Sequence, residues 1–264
     1  MRFKVFINET GELGKVPIAR AVSREEIDEF FKKNPIALKN LNTDVKLFRG
    51  FPGESDFLLG NSSLFKRRAA NTTNFVNIYL STIPSWKNFP SREHAYIGST
   101  THYGASGFGL EFAMFPADDA KIGVCPADDF WNAFEYKTGK IVSTINANLR
   151  RMALACDVKL DEDNGAVLRH QLEQITIDIL IKKYDERMTG EWVNHEINRM
   201  KKEEVNNLSE YLDWMLDPKD FHVIGPAEIH NHLGDFEERE VWVEGKVAFI
   251  KFSELKNYAN TNEI

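Results

Sequence analysis

The feature that most constrains the fold is a long block of helical periodicity that interrupts a chain otherwise rich in strand patterns. Between residues 141 and 217, apolar residues recur at spacings of three and four, which is typical of amphipathic helices. Three stripes follow one another: Ile141, Ile145, Leu149, Met152 and Cys156; then Val167, Leu168, Leu172, Ile175, Ile179 and Ile181; then Trp192, Ile197, Met200, Val205, Leu208, Leu212 and Met215. We expect these stripes to form a core.

Strand patterns lie on both sides of this block. Short segments that favour strands occur at 2–7, 45–49, 95–101, 109–115 and 121–125, and residues 237–252 resemble a hairpin that turns at Glu244-Gly245. Ser23 and Glu26 fit a capping box, which predicts a helix of about ten residues that ends before Pro35. Weak helical periodicity marks residues 62–82.

We therefore expect an α+β fold with strands towards both ends of the chain and helices between them. No linker or internal repeat divides the sequence. The prediction is a single domain over residues 1–264, with an N-terminal cap at 1–44 and a helical insertion at about 141–217.

The composition is that of a folded protein. Hydrophobic residues make up 42% of the 264 residues, and 19 of them are Phe, which excludes disordered, collagen-like and coiled-coil chains. No stretch approaches the roughly 18–20 uncharged apolar residues that a membrane span needs. The N-terminus has no signal-peptide pattern, and Cys125 and Cys156 form no disulfide or metal pattern. We expect a soluble, cytoplasmic protein without a membrane partner.

The formal net charge of −7 argues against non-specific coating of nucleic acids, which depends on an excess of Lys and Arg. Lys66-Arg67-Arg68 is either a local basic patch or a solvated turn. The repeated PADD at 116–119 and 126–129 is interpreted as a turn and a helix cap rather than a metal site. His222, His230 and His232 match no zinc motif, and we expect no metal.

Three short segments carry the functional signal. Phe48-Arg49-Gly50 ends a strand pattern, Gly98-Ser99-Thr100-Thr101 lies on a second and is followed by Ala105 and Phe108, and Glu238-Arg239-Glu240 enters a third. This order and content resemble the mono-ADP-ribosyltransferases of the arginine–serine–glutamate class. The middle segment departs from the family pattern, because Thr101 stands where a second serine is usual, and the helical block lengthens the spacing to the glutamates.

The resemblance implies a split β-sheet core around a cleft for NAD, the co-substrate. It implies that Arg49 contacts NAD, that Gly50 lets the backbone approach the nicotinamide amide, and that Phe108 faces the nicotinamide ring. Ser99 would hydrogen-bond the ribose and hold Glu240, while Thr100 and Thr101 would brace the strand. Glu240 would bind the ribose and stabilise the cation formed as nicotinamide leaves, while Glu238 would activate the acceptor. A fixed carboxylate suits this chemistry because it stabilises developing positive charge.

Each segment also has a structural interpretation when it is taken alone. Glu238 and Glu240 could form a charged strand edge that prevents aggregation. Arg49 could be a salt-bridged residue, and Phe108 could belong to the core. Only the three segments together favour a functional interpretation.

The expected activity is transfer of ADP-ribose from NAD to a macromolecular acceptor. An arginine-type protein side chain is the first choice of acceptor, a nucleobase in RNA or DNA is the second, and water would make the protein a NAD glycohydrolase. An intracellular enzyme of this kind resembles toxins of toxin–antitoxin or phage-related systems, so a neutralising antitoxin or immunity protein is an expected partner. Two alternatives are a non-catalytic interaction protein with a vestigial cleft and a metal-dependent hydrolase built on His230, His232 and the Asp pairs.

Overall fold

The computed structural model describes residues 18–67, 75–135, 139, 142–187, 191–233 and 238–261. These residues form an α+β structure with a nine-stranded antiparallel sheet. The strands are β1 (Ala19–Ala21), β2 (Leu47–Phe51), β3 (Phe57–Asn61), β4 (Tyr96–Ser99), β5 (Leu110–Pro116), β6 (Lys121–Val124), β7 (His222–Ile224), β8 (Glu240–Glu244) and β9 (Lys246–Lys251). The α-helices are α1 (Arg24–Lys33), α2 (Pro35–Leu41), α3 (Phe75–Leu80), α4 (His102–Ser106), α5 (Val142–Ala155), α6 (Gly165–Glu173), α7 (Ile177–Arg187), α8 (Glu191–Lys202), α9 (Leu208–Met215), α10 (Ile229–Leu233) and α11 (Phe252–Thr261).

The chain divides into two compact units. The first comprises the described residues within Met1–Asn71, Asn88–Phe130 and Asp220–Ile264, and it contains the whole sheet. The second comprises those within Thr72–Lys87 and Trp131–Lys219, and it is helical. The predicted helical block at 141–217 falls inside this second unit. Within the ranges that the structure describes, no helix has both the length and the apolar character needed to cross a membrane.

The sheet has the strand order β1-β3-β9-β5-β2-β4-β8-β6-β7, and it forks in the middle. β2 and β4 share a single aligned pair, Phe48 with Ser99. Beyond that pair β2 continues along β5, while β4 continues along β8. Gly98 permits this contact, because a Cβ there would lie 2.5 Å from the backbone oxygen of Phe48.

The two faces of the sheet bury different apolar clusters, because side chains alternate along each strand. Face A carries Leu47 and Phe51 of β2 with Tyr96, Val241 and Val243 of the neighbouring strands. Face B is covered by α1, α2, α4 and α11, and its cluster includes Phe48, Ala105, Ala113, Phe115, Ile250 and Tyr258. On β4 and β8, Ser99, Glu240 and Trp242 alternate with the face A residues, so they lie on the face B side.

The predicted N-terminal helix is confirmed. α1 follows Ser23 and ends at Lys33, and the backbone N–H of Ser23 donates to Glu26 Oε2 at 3.3 Å. A second helix, α2, begins at Pro35, and Asp118 of the first PADD accepts hydrogen bonds from the amides of Ile36 and Ala37. That aspartate therefore caps a helix distant in sequence. The strand predicted at 2–7 lies outside the described residues.

The strands predicted at 95–101, 109–115 and 121–125 are confirmed as β4, β5 and β6 with small shifts at their ends. The strand predicted at 45–49 begins two residues later and does not end at Arg49. β2 continues to Phe51, and Gly50 pairs with Glu111 of β5. Alternation of apolar and polar side chains cannot predict that Gly50 lies within the strand, because glycine has no side chain to pack.

The hairpin predicted at 237–252 is also wrong. β8 and β9 follow each other across Gly245, yet β8 pairs with β4 and β6 while β9 pairs with β3 and β5. One residue is too short for a two-residue hairpin turn. Gly245 has φ +132°, so the chain bends there and passes from one branch of the sheet to the other.

Most of the predicted helical core is buried in the second unit, including Leu149, Leu168, Leu172, Met200 and Leu212. Cys156, Ile181 and Val205 are half-buried. Val167 and Ile179 are exceptions, since both are about two-fifths exposed. Each precedes the buried residue of its helix, Leu168 or Leu180, by one position, which turns it by roughly 100° away from the core. Ile141 and the side chain of Trp192 lie outside the described part.

Of the helix predicted at 62–82, the structure describes only α3 and a short 3₁₀ turn, Ser62–Leu64, because residues 68–74 lie outside its described ranges. Lys66 of the basic segment forms an ion pair with Glu93 at 3.4 Å. Arg68 is among the residues that are not described.

Candidate active site

Two of the three segments, Gly98-Ser99-Thr100-Thr101 and Glu238-Arg239-Glu240, meet where β4 runs beside β8. Ser99 and Glu240 are directly opposite each other in the register of this antiparallel pair. Residues opposite each other in such a pair project to the same face of the sheet. Ser99 and Glu240, which are 141 positions apart in the sequence, therefore lie side by side on the face B side.

Hydrogen bonds beyond the strand ends extend this alignment. The amide of Thr100 donates to the carbonyl of Arg239 at 3.0 Å, and the amide of Arg239 donates to Thr100 Oγ1 at 2.9 Å. The backbone that carries Glu238 and Glu240 is therefore fixed against the Ser-Thr-Thr segment by a threonine side chain. The expectation that Thr100 braces this strand agrees with these contacts.

The short helix α4 closes over Ser99. Thr101 caps it, because Thr101 Oγ1 accepts a hydrogen bond from the amide of Gly104 at 3.1 Å. Ser99 Oγ accepts from the amide of Thr101, also at 3.1 Å. Threonine at the third position of the motif thus provides a cap.

Gly104 marks where Glu238 joins this group. A Cβ on Gly104 would lie 2.4 Å from Glu238 Oε1 and 2.4 Å from Ser99 Oγ. Glu238 Oε1 and Ser99 Oγ are therefore no farther apart than twice 2.4 Å. Glycine at this position leaves room for a carboxylate and a hydroxyl beside the helix backbone. Glu238 is exposed, so its carboxylate is accessible from solvent.

Glu240, in contrast, is buried. Its Oε1 accepts a hydrogen bond from Arg92 Nη1 within an ion pair, and its Oε2 accepts from the amide of Phe130 at 3.2 Å. The side chains of Glu240 and Arg92 are 11% and 8% exposed. The carboxylate is therefore held at both oxygens, which fixes its orientation.

The thiol of Cys125 lies close enough to Glu240 to interact with its negative charge. The thiol is buried, and the backbone amide of Cys125 donates to the carbonyl of Glu240 at 2.9 Å. Burial and the negative charge of Glu240 raise the pKa of the Cys125 thiol to about 12. No sequence pattern predicts a role for this cysteine.

Arg49 lies at the fork of the sheet. Its guanidinium donates from Nη1 to the carbonyl of Ile97 on β4, and it lies 5.1 Å and 5.9 Å from the ring centroids of Phe51 and Tyr96. Both rings belong to face A, so Arg49 projects to the side of the sheet opposite Ser99. The structure does not bring Arg49 together with Glu240. A contact between Arg49 and NAD stays a prediction.

Gly50 and Phe108 both lie next to α4. A Cβ on Gly50 would lie 2.5 Å from the carbonyl oxygen of Ala105 and 2.8 Å from the backbone of Phe108. Gly50 thus permits a close approach of the backbone of α4 and the residues after it, and its approach to nicotinamide stays a prediction. Phe108 is 44% exposed, so its ring is not part of the core.

No sequence motif predicts the contacts of Arg92, Phe130 and Gly104. Arg92 lies in the 3₁₀ turn Arg92–His94, outside all three motifs, and its partner Glu240 is 148 positions away. No sequence spacing indicates such a pair. The Thr101 cap could have been found, since a threonine before a short helix is a common N-cap.

Possible metal ligands do not converge in the described part of the chain. No group of three or more His, Cys, Asp or Glu side chains is arranged there to hold a metal ion. His222 and His232 have ring centroids 6.5 Å apart, and His232 lies 3.8 Å from Glu228.

Comparisons of this chain with protein-family models, with curated proteins and with solved structures gave no match.

Proposed function

We propose that this protein is a mono-ADP-ribosyltransferase that uses NAD as co-substrate and releases nicotinamide. One observation carries the proposal: Ser99, Glu238 and Glu240, which come from two distant motifs, converge on one side of the β4–β8 pair. A hydroxyl and two carboxylates, one buried and one exposed, suit a reaction that forms a cation and then captures it with a nucleophile.

In this proposal Glu240 acts on the ribose. Its carboxylate is preorganised by Arg92 and Phe130, so it need not reorient as positive charge develops on the ribose. A carboxylate has roughly four lone-pair sites, and two are used by these contacts, which leaves sites for a ribose hydroxyl and for Ser99. The split-sheet NAD cleft of the resembled family belongs to the same proposal, and the fork between β2 and β4 supports it.

Glu238 is assigned to the acceptor. It is exposed, and its Oε1 lies near Ser99, so an incoming group can reach it from solvent. A general base must lie within hydrogen-bond reach of the proton that it removes. We take an arginine-type protein side chain as the first acceptor and a nucleobase as the second. A neutralising antitoxin or immunity protein, and a cytoplasmic setting, belong to the same proposal.

A non-catalytic interaction protein is the second candidate, and one observation favours it. Both oxygens of Glu240 are engaged by protein groups, and a guanidinium beside a carboxylate offsets part of its charge. Such a pair also occurs in purely structural sites. Turnover of NAD separates the two candidates, because a vestigial cleft releases no nicotinamide.

The test is transfer of label from NAD that carries ³²P in its adenylate phosphate to macromolecules in a cell lysate. The wild type is expected to give labelled macromolecules, whereas Glu240→Gln gives neither labelled macromolecules nor free ADP-ribose. Glu238→Gln is expected to lose transfer but to keep some hydrolysis, because water traps the cation without activation by Glu238. Glu29→Gln makes the same chemical change in an exposed i,i+4 ion pair and serves as the matched control.

Digestion of the labelled product identifies the acceptor. Loss of label to protease supports a protein acceptor, and loss to nuclease supports a nucleobase. Equal loss of transfer and hydrolysis in Glu238→Gln would show that the two glutamates do not divide the reaction. A wild type that neither transfers nor hydrolyses would leave the non-catalytic candidate.

A further inference from the structure

We infer that Arg92 is a positioning residue that holds Glu240 in the orientation needed for the reaction; this inference rests on the proposed function. Arg92 Nη1 donates to Glu240 Oε1, and both side chains are nearly excluded from solvent. Buried ion pairs lose much solvation, so removal of one partner leaves a charge without compensation. The pair therefore constrains the carboxylate far more than an exposed ion pair would.

The guanidinium of Arg92 is itself held by aromatic rings. It lies 3.9 Å from the ring centroid of Phe130 and 5.3 Å from that of Trp242. Trp242 is fixed in turn, because its Nε1 donates to the carbonyl of Pro90 at 2.9 Å. Cations are attracted to aromatic faces, so the two rings limit where the guanidinium can lie.

The backbone that delivers Arg92 is also anchored on both sides. The amide of Ser91 donates to Glu244 Oε2 at 2.8 Å, which ties this turn to the far end of β8. The ring nitrogen Nδ1 of His94 lies 2.6 Å from the carbonyl oxygen of Phe65. Arg92 thus comes from a short, fixed element, and β8 supplies both its partner Glu240 and one of its anchors.

Arg92 and the amide of Phe130 each bind a different oxygen of the Glu240 carboxylate. Neither rotation nor withdrawal of the side chain is therefore free. The guanidinium of Arg92 contacts the carboxylate of Glu240 directly, and the thiol of Cys125 lies close enough to interact with its negative charge. Arg92 touches no reacting atom in this assignment, so its role is positioning.

The kinetic test compares Arg92→Met and Arg92→Lys with the wild type in nicotinamide release and in NAD binding. Arg92→Met is expected to lower kcat by on the order of 10²-fold with less than a threefold change in the Kd for NAD, because the ground-state contacts of NAD remain. Arg92→Lys, which keeps the charge but not the planar fork, is expected to recover part of that loss. Arg20→Met removes an arginine from an exposed ion pair with Glu26 and is the matched control, with unchanged activity.

A double-substitution cycle tests the Arg92–Glu240 ion pair by protein stability and needs no activity assay. Arg92→Met, Glu240→Gln and the double variant are compared by their urea unfolding midpoints. We expect the double variant to unfold at a higher urea concentration than Arg92→Met alone, since it contains no unpaired buried carboxylate. Additive midpoints, or an unchanged kcat in Arg92→Met, would overturn the inference. A wild type without nicotinamide release would refute the proposed function and the positioning role that rests on it, whatever the midpoints show about the pair.

Discussion

At the scale of single residues, the two glutamates of one motif have different environments. Glu240 opens β8 and is buried against Arg92, while Glu238 precedes the strand and is exposed. Their spacing of two predicts a common side, and the contacts of both with the Ser99 region agree with that prediction. The difference in burial was not predictable, because it depends on Arg92 and Phe130, which are remote in sequence.

Short sequence motifs nevertheless indicate Ser99, Thr100, Glu238 and Glu240 as candidates, and the register of β4 and β8 brings them together. Arg49 is indicated in the same way, yet it lies at the fork on the opposite face. A motif reports the residue type and its strand, but the face depends on where the strand begins, and that register is set by tertiary contacts.

The thiol of Cys125 gives a prediction for pH. Because its pKa is raised to about 12 in the folded protein, the unfolded chain loses this proton at lower pH than the folded chain. The unfolded state therefore binds fewer protons between roughly pH 9 and pH 12, and stability falls as pH rises through that range. We expect the wild type to lose up to a few kcal/mol more than Cys125→Ala there, at ~1.4 kcal/mol per pKa unit.

Urea unfolding at a series of pH values measures this difference. The lysines and tyrosines titrate in both proteins, so the comparison isolates the thiol. Parallel stability curves for the wild type and Cys125→Ala would contradict the buried, protonated thiol beside Glu240.

At the scale of elements, the space beside the backbone of α4 allows Ser99 and Glu238 to lie close together. We predict that Gly104→Ala lowers nicotinamide release by on the order of 10²-fold, because the new methyl group would lie 2.4 Å from an oxygen of each residue. Gly107→Ala is the matched control three residues later, where a Cβ would have no neighbour within 4 Å and φ is −66°. Its activity is expected to equal that of the wild type.

Steady-state nicotinamide release of the two variants, with circular dichroism as a check on folding, makes the comparison. If Gly104→Ala were as active as Gly107→Ala, the convergence of Ser99 and Glu238 would not matter for the reaction. A folded Gly104→Ala protein with normal NAD binding and slow release would support the proposed site.

The elements themselves were predictable to an uneven degree. β5 and β6 have clear strand patterns, and α1 follows a Ser-x-x-Glu capping sequence, so local sequence was enough for them. The pairing of β8 and β9 was not, because adjacency in sequence favours a hairpin while the structure sends the two strands into different branches. β3 was missed altogether, since its segment FLLGN has no alternation of apolar and polar residues.

At the scale of the whole molecule, an α+β fold with a helical block was predictable from periodicity alone. The composition of the helical unit was not fully predictable. α3 and the residues up to Lys87 belong to it although they precede the block by more than fifty positions. Tyr79 of α3 donates to Asp213 Oδ1 of α9 at 2.8 Å, and Arg169 of α6 pairs with the same aspartate at 2.6 Å. Such partly buried polar contacts leave no periodic signal.

The proposed function requires cleavage of NAD at one site in the sheet-containing unit. Removal of a single preorganised electrostatic group typically lowers the rate by roughly 10²–10³-fold. Glu240→Gln is nearly isosteric and leaves the amide of Phe130 with an acceptor. Its expected effect is therefore on the rate of cation formation rather than on the binding of NAD.

The most direct measurement is the rate of nicotinamide release from NAD by the purified protein and by Glu240→Gln, with NAD affinity measured by calorimetry. We expect release by the wild type, a loss of on the order of 10²–10³-fold in Glu240→Gln, and similar NAD affinity for both. No release by the folded wild type, or a Glu240→Gln variant that keeps more than about a third of the activity, would contradict this expectation.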